Sequence, residues 1–235
     1  MEGHEAIDTL YGLTPKTAEV FDTISQLDCI RNLYLTGGTG QSLQLNHRLS
    51  EDLDFELLGL KSTRPQLDFQ GIISEVRSKF HDARLEILGD DHFQMFINKG
   101  SVKLSFFRPE HPVKSLHTGF SYNNIKTPNL QELLGMKVFT ICVRNKFRDY
   151  YDIYCLLKGG CSLKEAIDYA GYLSRHTIKS KTMLTFLLSP NLYPKDVDFP
   201  KMNPKYDISA ENIRDYIKSV IINENIGKSI FNPGK

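Results

Sequence analysis

Residues 33–55 read LYLTGGTGQSLQLNHRLSEDLDF, and the reading of the fold starts there. Leu33 to Thr36 is a short apolar run of strand character. Gly37 and Gly38 stop it, and glycine lets a backbone turn tightly and come close to a ligand. Thr39 is placed to cap a following helix, with Leu43 and Leu45 supplying apolar contacts. Asp52-Leu53-Asp54-Phe55 then reads as a strand. Residues two apart on a strand face the same way, so Asp52 and Asp54 point together while Leu53 and Phe55 enter the core. Two carboxylates side by side repel unless something positive sits between them. A hard divalent cation with oxygen ligands, Mg²⁺ (or Mn²⁺), answers that need. Alone, such an acid pair is usually solvated and a Gly-Gly is usually a turn. Together they make one working unit, in which the turn amides and Thr39 hold a triphosphate while Asp52 and Asp54 hold its metal.

The chain has 235 residues, enough for one large domain or two small ones. Hydrophobic content of 40% and charged content of 24% are ordinary for a globular protein. No apolar run is long enough to span a bilayer, so no membrane partner is expected. The first residues, MEGHEAIDTLYG, lack the basic and apolar regions of a secretory signal, which points to the cytoplasm. Cys29, Cys142, Cys155 and Cys161 are scattered and suggest neither a zinc site nor a disulfide framework. Net charge is +1, but unevenly spread. Residues 1–60 carry ten acids against three bases, and residues 137–181 nine bases against four acids. The second half is therefore suited to phosphates and the first to metal.

Thr14-Pro15 opens a helix whose Ala18, Phe21, Ile24 and Leu27 form a buried face. Lys61 to Pro65 is a polar connection, and Pro65 to Phe80 reads as a second helix. Three strands follow at 84–88, 93–97 and 102–107, joined by short turns into a meander. Thr127-Pro128-Asn129 starts the second half, with Asn129 and Glu132 as a capping box. Helices are expected over 130–142, 149–157, from Ser162, over 179–188 and over 209–222, with a proline-rich connector at 189–204. The fold class is α+β: an α/β domain over 1–126, then a helical domain over 127–235.

A second block stands in that helical half: Lys137-x6-Arg144-x-Lys146-x-Arg148-Asp149-x-x-Asp152. Lys137 lies mid-helix on an otherwise apolar face, which is costly unless it snorkels or finds an anion. Asp149 and Asp152, three apart on a helix, can face the same side. The bland alternative is an Arg148–Asp152 surface ion pair. His47 is read as satisfying a local hydrogen bond.

Gly37-Gly38-Thr39 followed by Arg48-x-Ser50-x-Asp52-x-Asp54-Phe55 resembles the signature of DNA-polymerase-β-like nucleotidyltransferases, closest to the AbiEii/AbiGii toxin family of toxin–antitoxin and phage-defence systems. The second block resembles that family's helical motif, a lysine followed by R-x-x-x-R-D-x-x-D. The resemblance implies a nucleotidyltransferase-like mixed sheet with its active site in the cleft between the halves. It implies transfer of NMP from an NTP to RNA, the 3′ end of tRNA first, under restraint by a cognate antitoxin. Asp52 and Asp54 would be metal ligands. Lys137 and Asp152 would join them in catalysis, Lys137 reaching the triphosphate. Gly37, Gly38, Thr39, Arg48, Ser50, Arg144, Arg148 and Asp149 would line the nucleotide site. If Lys137 meets the triphosphate, its replacement by Met leaves stability level or raises it; if it pairs with Asp149 or Asp152, stability falls.

One departure stands out. Polymerase-β-like enzymes usually carry a third acid on a later strand. Here Lys103 and Ser105 hold the matching positions, and Glu86 is the substitute the sequence offers. The alternatives are nucleotidylation of a partner protein and a non-catalytic nucleotide-binding module.

Overall fold

A computed structural model describes residues 11–58, 66–109 and 116–226. The expected polar connection at 61–65 lies outside them. The chain divides into two compact units, Met1–Asn129 and Leu130–Lys235.

In the first unit, helix α1 (Pro15–Ser25) starts on the proline, as expected, with Thr14 at its N-cap. A 3₁₀ turn (Asp28–Ile30) leads into β1 (Tyr34–Leu35), shorter than the apolar run suggested. Helix α2 (Gly37–Leu45) begins on Gly37 itself, and β2 (Leu53–Glu56) follows. Helix α3 (Phe69–Lys79) begins later than Pro65, where the Asp68 carboxylate accepts from Gly71 N at 2.9 Å. Its Glu75 carboxylate accepts from Asp28 N and Cys29 N, both at 2.7 Å, tying α3 to the 3₁₀ turn. Strands β3 (Arg84–Gly89), β4 (His92–Ile97) and β5 (Val102–Phe107) form the expected meander.

The sheet order is β1-β2-β5-β4-β3. Only β2 and β5 run parallel, with Asp54 opposite Ser105. Register and period-2 alternation sort the strands into two faces. Leu53, Phe55, Phe93, Met95, Leu104 and Phe106 point to one side, where they join Phe21 and Ile24 of α1 and Ile72 and Val76 of α3 in the core. Phe106 stacks between Phe55 and Phe93, with ring centroids 5.4 and 5.1 Å away. The opposite face takes the polar partners: Asp54, Ser105, Gln94 and Glu86 in one row, Lys103, Phe96 and Arg84 in the next.

A second, two-stranded sheet is formed by β6 (Thr118–Tyr122) and β7 (Ile125–Pro128), which the sequence reading had missed. Thr127-Pro128 thus belongs to a strand of the first unit rather than to the start of the second half. Gln44 of α2 donates to Thr127 Oγ1 and Pro128 O, both at 3.0 Å, and fastens the hairpin to the first unit.

The second unit holds α4 (Leu130–Ile141), α5 (Phe147–Lys158), α6 (Leu163–Leu173), α7 (Ser180–Leu187) and α8 (Ala210–Asn223), with two 3₁₀ turns in the proline-rich connector. Among the described residues, no helix is long and apolar enough to cross a membrane. The start of α6 is capped twice. Ser162 Oγ accepts from Glu165 N, as expected from its capping box. Glu224, just past α8, accepts from Ser162 Oγ, Leu163 N and Lys164 N at 3.0, 2.9 and 2.7 Å. Negative charge at a helix N-terminus with three donors is a stabilising arrangement. Glu224→Ala is expected to cost about 1–2 kcal/mol, read as a lower urea midpoint with an unchanged slope.

Candidate active site

The start of α2 is built on close approaches. Gly37 has φ +63, and a Cβ there would lie 2.6 Å from Asp54 Oδ2. Both facts demand glycine. A Cβ on Gly38 would lie 2.5 Å from Arg48 Nη2. The Asp54 carboxylate thus fills the place a side chain on Gly37 would take, and the Arg48 guanidinium does the same at Gly38. Thr39 is not the cap that the sequence suggested. Thr36 holds that position, and Thr39 lies inside the helix, 1% exposed. Its hydroxyl bonds Ser50 Oγ at 2.9 Å and also the Asp52 carbonyl. That hydroxyl is committed within the chain, because burial leaves it no water and the β2 approach offers acceptors. Arg48 and Ser50 are buried as well, and Arg48 donates to Leu49 O at 3.0 Å. The R-x-S-x-D motif therefore forms the underside of the α2 start and locks it to β2. His47 is buried beside them.

Asp52 and Asp54 share the face of the sheet opposite the core, each half-buried, next to the buried Ser105. Lys103 of β5 reaches across, its Nζ 2.9 Å from Asp52 Oδ2. The strand that would carry a third acid thus carries a cation, and that cation already neutralises one member of the pair. Glu86 does not replace the acid. It lies on β3, three strand spacings from β2, roughly 14 Å away. Sequence reasoning passed over Glu56, although period-2 alternation puts it on the same face as Asp54. Burial pushes its carboxyl up to about 8; a hydrogen bond from Thr36 opposes this, and the Asp54 carboxylate adds to it. The donor set suits a divalent ion chemically: carboxylate oxygens on one face, one already holding an ammonium. Among the described residues, no group of three or more His, Cys, Asp or Glu side chains is arranged to hold a metal.

In the second unit, Lys137 of α4 is buried between two carboxylates of α5. Its Nζ lies 2.6 Å from Asp149 Oδ1 and 2.8 Å from Asp152 Oδ2. Both acids are fully buried. Arg144, half exposed, adds a second cation on Asp149, with Nε 2.8 Å from Oδ2 and Nη2 3.0 Å from Oδ1. The bland surface pair of Arg148 with Asp152 gives way to this inward arrangement. Burial by itself would raise the Asp149 carboxyl; the Lys137 ammonium and Arg144 guanidinium outweigh it and hold it below the usual range.

Solved structures define the class of fold. An H. pylori protein whose crystal structure is assigned as a nucleotidyltransferase superposes with TM-score 0.53 at 16% identity over the whole of both chains. MenT4, a nucleotidyltransferase toxin of Mycobacterium tuberculosis H37Rv, gives 0.55 at 12% identity over 87% of this chain and 84% of its own. These share the fold. An uncharacterized protein of Aquifex aeolicus is 28% identical over 155 residues, 65% of this chain and 71% of its own length.

The match that assigns the chain lies in sequence. Residues 20–225 fit the model of the AbiEii nucleotidyl transferase toxins of type IV toxin–antitoxin systems, and the chain belongs to that family. It is a nucleotidyltransferase.

Lys137→Met removes the shared partner of two buried carboxylates. A loss of about 3–5 kcal/mol is expected, measured by chemical denaturation at neutral pH, which is the outcome given above for a Lys137 that pairs with Asp149 or Asp152. The wild type should also lose stability in acid. The Asp149 carboxyl is depressed in the folded state, so its contribution is complete above the ordinary carboxylate value and fades as pH falls through the lowered one. Melting followed from pH 6 downward checks this: Asp149→Asn should flatten the acid limb of the curve.

Proposed function

We propose that this chain is a divalent-metal-dependent enzyme that transfers NMP from an NTP to a hydroxyl of an RNA acceptor, with the 3′ end of tRNA as the first candidate, and that a cognate antitoxin restrains it. The observation that carries the reading is the Asp54 carboxylate standing where a side chain on Gly37 would be, which sets an acid pair beside a helix start. Helix N-termini favour phosphate oxygens, and paired acids favour the cation that accompanies them. Family membership supports a toxin with an antitoxin partner.

In this reading the acceptor oxygen attacks the α-phosphorus, the bond to the β-phosphate breaks, pyrophosphate leaves, and the hydroxyl proton passes to solvent. Asp52 and Asp54 would hold Mg²⁺ or Mn²⁺, which supplies charge neutralisation at the transferring phosphoryl group. The first-turn amides of α2 bind and orient the triphosphate. Thr39, Ser50 and Arg48 keep that turn against β2. Lys103 balances Asp52. In the second unit, Lys137 and Arg144 fix Asp149, and Lys137 also holds Asp152. Nucleotidylation of a protein is the competing acceptor reading.

Incubation with each labelled NTP, Mg²⁺, total RNA and total protein tests the proposal. Label is expected in tRNA, whereas label confined to protein would exclude an RNA acceptor. Asp54→Asn should abolish incorporation while leaving the melting temperature within a few degrees, since its side chain lies on the open face and fills no core space.

Mg²⁺ and NTP together should stabilise the protein more than either alone, by about 2.7 kcal/mol at a hundredfold excess over Kd. An unchanged melting curve with both present would count against a nucleotide site in this chain.

A further inference from the structure

The acids occupy only one side of the open sheet face. Across it lies a pattern that the acid pair does not use. The row that starts at Asp52 continues through Lys103 on β5, Phe96 on β4 and Arg84 on β3. The row from Asp54 continues through Ser105, Gln94 and Glu86. The row from Glu56 continues through Phe107 and His92, whose rings meet edge-on at 5.7 Å. The reverse face is packed into the core, so this surface is a rigid one.

Arg84 sits over the ring of its cross-strand partner Phe96. Its Cζ is 4.4 Å from the Phe96 ring centroid, and the residue is exposed. A guanidinium over an aromatic ring is a planar cation that can also stack on a second π-face. Nucleic-acid bases stack on such planes, and the charge meets the neighbouring phosphate. Lys103 repeats the charge two strands closer to the acids. Between and beside them, Gln94 and Glu86 present groups that can bond base edges, and Glu86 would repel a phosphate laid on its own row. A path for phosphates along Lys103–Arg84, with bases leaning over Gln94 and Glu86, fits this distribution. Three strand spacings give the row a length of roughly 14 Å.

We infer that the open face from Arg84 to Asp52 seats the single-stranded 3′ end of the RNA acceptor. A terminal base stacks on the Arg84–Phe96 pair, Lys103 takes a phosphate, and the end of the strand is delivered to the acids. This rests on the reading of the chain as an RNA nucleotidyltransferase and adds to it the place where the acceptor lies.

The test uses the full chain and a short labelled single-stranded RNA with a free 3′ hydroxyl. Binding is read by fluorescence anisotropy with wild type, Arg84→Ala, Arg84→Lys and Phe96→Leu, and KM is read separately for RNA and NTP. Arg84→Ala and Phe96→Leu should each weaken RNA binding by about tenfold and raise KM for RNA alike, with KM for NTP unchanged. Arg84→Lys, which keeps the charge but not the plane, should recover only part of the affinity. Arg84 is exposed, so its alanine variant should fold with an unaltered melting temperature and carries the test even if Phe96→Leu destabilises. Transfer to RNA with unchanged RNA affinity in both variants overturns the subsite and leaves the enzymatic reading intact. An equal rise in KM for NTP also overturns it. Wild-type protein that does not bind the RNA, or that labels only protein, overturns subsite and RNA reading together.

Discussion

A side chain at position 37 would end the close approach of α2 to β2. The backbone there is left-handed, and the space beyond the Cα is already filled by the Asp54 carboxylate. This single constraint sets the relation of the helix start to the acid strand. The rest of the motif serves it. Thr39 spends its hydroxyl on Ser50 and the Asp52 carbonyl, and Arg48 lies buried beside Gly38. Residues whose types suggest ligand contacts thus work as struts between α2 and β2.

The two units treat their carboxylate pairs in opposite ways. Asp149 and Asp152 are fully buried, and Lys137, with Arg144, compensates them within the chain. Removing a buried charge's partner is far costlier than the pair is stabilising, so that cluster is committed to its present state. Asp52 and Asp54 stay half-buried, and the Lys103 ammonium beside the Asp52 carboxylate is on a side chain that is itself part-exposed. A partly hydrated pair exchanges its counter-charge at little cost.

Much of this could be read in the sequence. The alternating acids, the meander and the helix start at Pro15 follow from local rules, and the caps at Ser162 and Ser209 fall where those rules put them. What escaped was set by distant partners. Lys103 reads as a missing acid until the parallel register of β2 and β5 brings it opposite Asp52. Thr39 reads as a cap until Ser50 claims its hydroxyl. Two misses had local signals. Asn123-Asn124, with Asn123 at φ 49, closes the β6–β7 hairpin in the way a two-residue turn requires. Glu56 continues the D-x-D alternation by one more step.

The parallel pairing of β2 with β5 also bears on how the molecule comes into being. Leu53 is aligned with Leu104, and the chain between them carries α3, β3 and β4. Pairings between distant parts of a chain carry a large loop-closure cost and form slowly. During synthesis, the acid strand leaves the ribosome well before Lys103 or Ser105 exists to flank it. The pairing of the acid strand is therefore a late product of translation: the emerging chain carries both acids for the time it takes to make about fifty more residues without the strand that flanks them.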